Sequence, residues 1–381
     1  MSATAPVNDI PAAPPSAREP KRMFQSVTVK KYGYLVFLFP PLLPVMGWML
    51  GDLAGLGALF AWWTPFVVFG LVPIADHLIG EDATNPTEEE VSLLDGDWFY
   101  QLVTAAVLPV QVASILFCGA MFLSADSWPE ALGYLFSCGI VSGATTITAA
   151  HELIHKPTRW ESLAGGALLA TVWYATFKPE HLYGHHRHVA TPKDGSTAYK
   201  GENVYRFILR AMRNNPREGF AIAAERLRRK KVSAWSWRNE MVWWTGLSAA
   251  LTALAFAIGG WAGLVFFVGQ ALVAIALLEI INYIEHYGLM RAEVSPGRYE
   301  RITPQHSWNA NHLFTNWLIF QLQRHSDHHA NGARRYQTLR HFDESPQLPF
   351  GYATAVVAAA IPPLWRRIMD PRVDAYVAAR G

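Results

Sequence analysis

The segment Leu322–Asn331 reads LQRHSDHHAN and places His325, His328 and His329 within five residues. On a helix, His325 and His329 sit one turn apart on one face. His328 then projects about 100° away and can reach a different atom. One such helix can serve two metal ions. Three further stretches carry histidines at comparable spacing: HELIH with His151 and His155, EHLYGHH with His181, His185 and His186, and NYIEHYG with His286. The four stretches hold nine of the fourteen histidines, and the long apolar segments between them mean that only the fold can bring them together.

Composition sets the medium. Hydrophobic residues make up 51% of the 381 positions and charged residues 16%, against roughly 25% charged in a soluble domain. The 15 Trp fall near the edges of apolar runs, as an interfacial belt requires. The chain reads as an all-α integral membrane protein, and no nucleic-acid partner is expected. Cys118 and Cys138 both lie inside apolar runs and read as small buried residues. With no C-x-x-C, the chain carries no rubredoxin, zinc-ribbon or iron–sulfur site of its own. The N-terminus lacks the basic-then-apolar pattern of a cleaved signal peptide. Residues 1–20 are rich in Pro and Ala and are expected to be disordered, within a basic segment 1–31.

Six runs are apolar enough to span a bilayer, at roughly 33–54, 57–77, 99–123, 130–150, 242–259 and 261–283. Without water to satisfy the backbone they must be helices. They pair as three hairpins whose turns, around 51–57, 124–130 and 259–263, hold no Lys or Arg. Of the 32 Lys and Arg, five lie in 1–31, sixteen in 156–241 and eleven in 285–381. With six spans these regions share one side, the cytoplasm by the positive-inside rule. The loop 77–97 belongs to the same side yet is purely acidic, an exception that the weak topological effect of Asp and Glu allows. A seventh run, 163–177, is short for a span. If it crossed, HELIH and EHLYGHH would be separated by roughly 30 Å. It is therefore expected to be re-entrant or interfacial, bending at Gly165 and Gly166, the alternative being a seventh helix. The spans and the histidine-rich segments form one domain, 32–345, followed by a cytoplasmic tail, 346–381. Residues 203–231 form a basic amphipathic stretch that fits either lipid headgroups or an acidic electron donor.

All four histidine stretches therefore meet at one membrane surface. His151 with His155, His181 with His185, and His325 with His329 are i,i+4 pairs able to grip one ion each. Nine imidazoles exceed the six positions of an octahedral ion, so two ions are the economical answer. HELIH also matches the zinc-protease pattern with Glu152 as general base. A catalytic zinc takes three protein ligands, which would leave at least six clustered histidines without work. A transporter would place its ligands at the bilayer midplane. A nitrogen-rich site facing hydrocarbon points instead to iron and O2, in an oxygenase or a desaturase.

HELIHK, EHLYGHHRHVATPKD, NYIEHYGL and LQRHSDHHAN followed by RRYQTL resemble the integral-membrane alkane 1-monooxygenases, over about residues 33–345. The related fatty-acid desaturases have looser boxes and generally lack NYIEHYGL. The resemblance implies six transmembrane helices beneath a cytoplasmic, histidine-rich di-iron cap in the bacterial inner membrane. It implies terminal hydroxylation of medium-chain n-alkanes with O2, with electrons from rubredoxin and its reductase, supplied as a separate or fused chain. A membrane fatty-acyl desaturase or hydroxylase is the alternative. Carried over by motif, the iron ligands are His151, His155, His181, His185, His186, His286, His325, His328 and His329. Carboxylates are expected behind the imidazoles, with Glu152, Glu180, Glu279, Glu285 and Asp327 as candidates. Of these, Glu279 is favoured because a carboxylate inside a span is costly unless paired. His77, His188, His306, His312 and His341 read as structural, His312 excepted as a donor expected behind the site. The chain departs from the family at Gly195–Ser196–Thr197, where Pro–Ala is expected after VATPKD. Terminal selectivity needs a narrow tunnel, for which Trp48, Trp62, Trp63 and Phe69 are bulky candidates.

Overall fold

The computed structural model describes residues 26–380, and the expected disorder of residues 1–20 lies outside that range. The described chain is mostly helical, with one antiparallel pair of short strands, Glu293–Ser295 and Arg298–Tyr299. Four helices are long and apolar enough to cross a membrane. In chain order the apolar helices are α1 (Val27–Ala54), the shorter α2 (Trp63–Ile79), α3 (Trp98–Ser124) and α4 (Trp128–Ile154). After α5 (Arg159–Ala170), α6 (177–188) and α7 (Val204–Arg228) comes the 47-residue α8 (Glu240–His286). Four more helices follow: α9 (Leu313–Leu318), α10 (His325–Ala330), α11 (Tyr352–Ala359) and α12 (Pro362–Arg380).

α8 is not one rod. Gly260 has φ 56° and ψ −141°, a left-handed value that a side chain would resist. Beyond it the chain folds back: a Cβ added at Gly263 would overlap the carbonyl of Ala255. Residues eight apart in a continuous helix would lie about 12 Å apart, so the two arms form a tight hairpin. The first expected hairpin is less regular. The run from Gly57 forms a four-residue helix, Gly57–Phe60, and restarts at Trp63.

The excursion after α4 leaves and returns at one place, since the rings of His155 and His181 lie 5.0 Å apart. Its bend is not at Gly165 and Gly166, as expected from the sequence, but after Ala170. There Trp173 takes φ 56° and Tyr174 N–H donates to Leu169 O. The two glycines lie inside α5 and let it pack closely. A Cβ at Gly165 would stand 2.8 Å from Ile154, and one at Gly166 would overlap the Trp244 ring.

The acidic loop after α2 obtains its cations from α1. Lys30 pairs with Asp82 at 2.6 Å, and Lys31 pairs with Asp97. Residues 346–380, expected as a tail, carry α11 and α12. Trp365 and Met369 are fully buried, and Trp365 stands against Tyr283 and Tyr287 of the α8 region, with ring centroids 5.7 and 5.6 Å apart.

Candidate metal centre

The nine histidines converge into two groups. His151, His155, His181, His186 and His328 offer nitrogens within 4.8 Å of one another, and so do His185, His286, His325 and His329. Consecutive residues serve opposite groups: His185 and His186 part company, as do His328 and His329. α10 thus does what its spacing predicts, with His325 and His329 on one side and His328 on the other.

The second stretch departs from its expected i,i+4 pairing. Residues His181–His185 form one π-helical turn, a wider turn typical of functional sites. It carries His181 into the group of His186, five residues on, with their Nε2 atoms 3.1 Å apart. His185 is released to the other group. A second π turn, Ser142–Ile147, interrupts α4 shortly before His151.

The separations fit a shared ion. In the first group Nε2 of His186 is 3.1 Å from that of His181 and 3.1 Å from that of His328. In the second, His185–His329 and His286–His325 are 3.2 Å apart and His325–His329 2.8 Å. Two nitrogens bound at about 2.1 Å at right angles lie about 3.0 Å apart, whereas tetrahedral angles spread them to about 3.4 Å. The observed values, 2.8–3.2 Å, are close enough for the nitrogens of each group to share one ion. Nε2 of His151 and of His155 are buried without a hydrogen-bond partner among the described residues, as expected of nitrogens awaiting a metal. Burial, reinforced by neighbouring imidazoles, holds His155, His181, His186, His325, His328 and His329 well below the usual imidazole pKa. They are therefore neutral, the form that binds metal.

The fatty acid desaturase family model matches residues 126–356, which include all nine histidines. Alkane 1-monooxygenase 2 of Pseudomonas aeruginosa is 47% identical over 358 residues, covering 92% of this chain and 94% of that protein. Alkane 1-monooxygenase 2 of Alcanivorax borkumensis is 45% identical over 352 residues, covering 91% and 92%. The chain belongs to the alkane 1-monooxygenase family. The xylene/toluene monooxygenase hydroxylase component XylM of Pseudomonas putida is also similar, 31% identical over 238 residues and covering 62% of each chain. This member of the alkane 1-monooxygenase family is a multi-pass membrane protein whose histidine clusters fit non-haem iron.

The carboxylates behind the imidazoles differ from those expected for an alkane 1-monooxygenase of this sequence. Glu152 accepts from Lys156 Nζ at 2.9 Å and from Tyr336 N–H at 3.2 Å, not from a histidine. Asp327 is held by Asn331, Arg340 and the Arg340 backbone. Glu180 is buried, and its Oε1 has no partner among the described residues. Glu279 accepts from Tyr174 Oη at 2.5 Å and from Asn282 at 3.1 Å. Glu285 is the one expected carboxylate recorded beside an imidazole. One oxygen accepts from Tyr352 Oη at 2.9 Å and the other stands 3.2 Å from Nε2 of His325, on the side facing the second group's centre.

Sequence reasoning missed Asp194. Its carboxylate lies 3.1 and 3.2 Å from Nδ1 of His185, the nitrogen that faces away from the cluster. The available signal was the turn chemistry after VATPKD: Asp194 also accepts from Ser196 N–H and Thr197 Oγ1, as an Asp opening a turn does. His312, the other residue considered for a place behind the site, lies instead 3.3 Å from Glu81.

A mostly apolar cavity lies near the first group. Val68, Phe69, Ala144, Leu277 and Ile281 are among its lining residues. Thr148, Ile319 and Leu322 are shared with a smaller cavity that His151 and His328 border. Of the bulky tunnel candidates only Phe69 lies on this lining.

Proposed function

We propose that the chain hydroxylates the terminal carbon of medium-chain n-alkanes to primary alcohols, using O2 and electrons from rubredoxin, at a non-haem di-iron site. The observation that carries this reading is the pair of histidine groups, the first of which borders, through His151 and His328, a small cavity that shares its wall with an apolar one. Bound iron supplies the O2 chemistry needed to break an unactivated C–H bond. The protein's part is to hold the metals, exclude water and present the chain end. His151, His155, His181, His186 and His328 hold one ion, and His185, His286, His325 and His329 the other, with Glu285 at the second ion's edge. The cavity wall is mostly apolar; of its hydroxyls, those of Thr315 and Tyr352 are taken up by Asp76 and Glu285, so it orients a hydrocarbon by shape.

The membrane reading follows the same line. α1, α2, α3, α4 and the two arms of α8 make six spans in three hairpins. Lys and Arg gather in the segments that join the histidine stretches, which favours the cytoplasmic side of the bacterial inner membrane. A surface cavity of 530 Å³, lined by Gly184 and Arg187 on either side of His185 and His186 in the chain, carries Arg187, Arg226 and Arg229 with Glu218 and Glu225. This surface suits an acidic redox protein, rubredoxin, kept reduced by its reductase.

Membership of the desaturase family favours one second reading, a membrane fatty-acyl desaturase or hydroxylase. The two separate in one experiment: purified protein with rubredoxin, reductase, NADH and either octane or an acyl thioester. 1-Octanol formation with two irons per chain is expected. An oxidised acyl chain with no alcohol from octane, or a single zinc, would sink the hydroxylase reading.

A further inference from the structure

The segment Gly195–Ser196–Thr197, where Pro–Ala is expected, begins directly after Asp194, the residue that holds His185. α7 clamps this loop. Arg210 Nη1 donates to Gly195 O at 2.7 Å and Nη2 to Thr197 O at 2.9 Å. Further along α7, Asn215 is 1% exposed. Its Nδ2 donates to Ser196 Oγ at 3.1 Å and to Glu279 Oε1 at 3.4 Å. Glu279 lies two turns before His286 on the second arm of α8, and its Oε1 also accepts from Tyr174, in the turn that leads to His181. Segments flanking two of the histidine stretches, EHLYGHH on both its sides and NYIEHYG on one, are therefore tied together around one side-chain amide.

Gly195 is the seat of that amide. A Cβ placed there would overlap Asn215 Oδ1. Oδ1 has no hydrogen-bond partner among the described residues, so the two hydrogen bonds from Nδ2 and the close contact of Oδ1 with Gly195 together set how the amide lies. Asparagine at 215 and glycine at 195 form a matched pair.

We propose that Asn215, seated on Gly195, is a positioning residue for the second metal group. It ties the Asp194 loop to Glu279 and thereby fixes the directions of His185 and His286. The proposal rests on the reading of that group as an iron site. Groups that orient a ligand's outer nitrogen change metal affinity by about 10–100-fold when lost, and Asn215 acts one step further out through Asp194.

The test uses full-length protein in detergent, loaded with ⁵⁷Fe and followed by iron titration, Mössbauer spectroscopy and thermal unfolding. N215A should weaken binding of one iron by about 10-fold or more and alter one quadrupole doublet, leaving the other as in wild type. G195A should produce the same selective change by displacing the amide. The double variant should lose no more than N215A alone, because both changes act through one contact. Unchanged affinity and doublets in N215A would overturn the proposal. So would equal weakening of both irons with a lowered melting temperature, which marks a merely structural residue, and so would additive losses in the double variant. Wild-type protein that binds fewer than two irons would instead overturn the underlying di-iron reading, and this proposal with it.

Discussion

His186 and His328 stand 142 positions apart in the chain, yet their Nε2 atoms lie 3.1 Å from each other. Their sequence neighbours His185 and His329 repeat the arrangement at 3.2 Å in the other group. Two adjacent residues on α6 and two on α10 thus stitch both groups together, so each group can be emptied through its own member of either pair. H328A should lower iron from about two per chain to about one by removing a ligand of the first ion. H329A should do the same for the second. The two variants should differ in which Mössbauer doublet disappears, and loss of the same doublet in both would contradict the division.

Acid should destabilise the metal-free protein. Burial holds His155, His181, His186, His325, His328 and His329 below the ordinary value near 6.5, and takes His312 down to about 4. Between those limits the unfolded chain binds protons that the folded chain does not, so stability rises with pH. It is fully present above about pH 6.5 and is lost as pH falls below it, by up to about 1.4 kcal/mol per pH unit for each such histidine. Thermal unfolding of chelator-stripped protein should give a lower melting temperature at pH 5.5 than at 7.5, and nearly equal values at 7.5 and 8.5. A melting temperature flat from 5.5 to 7.5 would show that the histidines are not buried neutral.

Much of this centre was legible in the sequence because histidine is conspicuous in an apolar chain and helical spacing converts directly into direction. That worked for His151 with His155, and for the split between His328 and His329. It failed for His181, since a π turn leaves no mark in spacing and moves the partner from His185 to His186. The hairpin at Gly260 was legible because glycine accepts a left-handed backbone. The bend at Trp173 was not, because a bulky residue seldom takes positive φ. Asp194 escaped notice for a third reason. Nothing in its own spacing aims it at His185; closure of the loop onto α7 does so.

The apolar cavity predicts a chain-length effect. Ala144 lies on its wall within the π turn of α4, facing the path towards Thr148 and His151. A144F should narrow that path at mid-length. Octane oxidation should persist while dodecane oxidation falls by at least about 10-fold relative to it, a discrimination typical of a few methylenes in an apolar pocket. Gas chromatography of the primary alcohols from mixed alkanes reads the ratio directly. An equal loss for both substrates would place the alkane elsewhere.

The basic cavity predicts a salt-dependent defect in electron supply. Arg226 stacks its guanidinium 3.6 Å from the centre of the Tyr183 ring, two residues before His185. Arg187 and Arg229 join it on the lining, where Glu218 and Glu225 also sit, Glu225 offsetting Arg229 through a 3.0 Å pair. An acidic donor seated here would stand against Gly184 and Arg187, the chain neighbours of the two adjacent histidines that serve both groups. Reversing charge with R187E or R226E should raise the KM for rubredoxin by about 10-fold at low ionic strength, through slower encounter. The difference from wild type should shrink as salt approaches about 1 M, where screening reaches only about 3 Å. Iron content should stay at the wild-type value, since neither arginine touches a cluster nitrogen through the contacts described. Chemically reduced protein given one dose of O2 should still form alcohol, because that measurement bypasses the donor. A KM for rubredoxin unchanged at every salt concentration would remove the docking assignment and leave the surface to lipid headgroups.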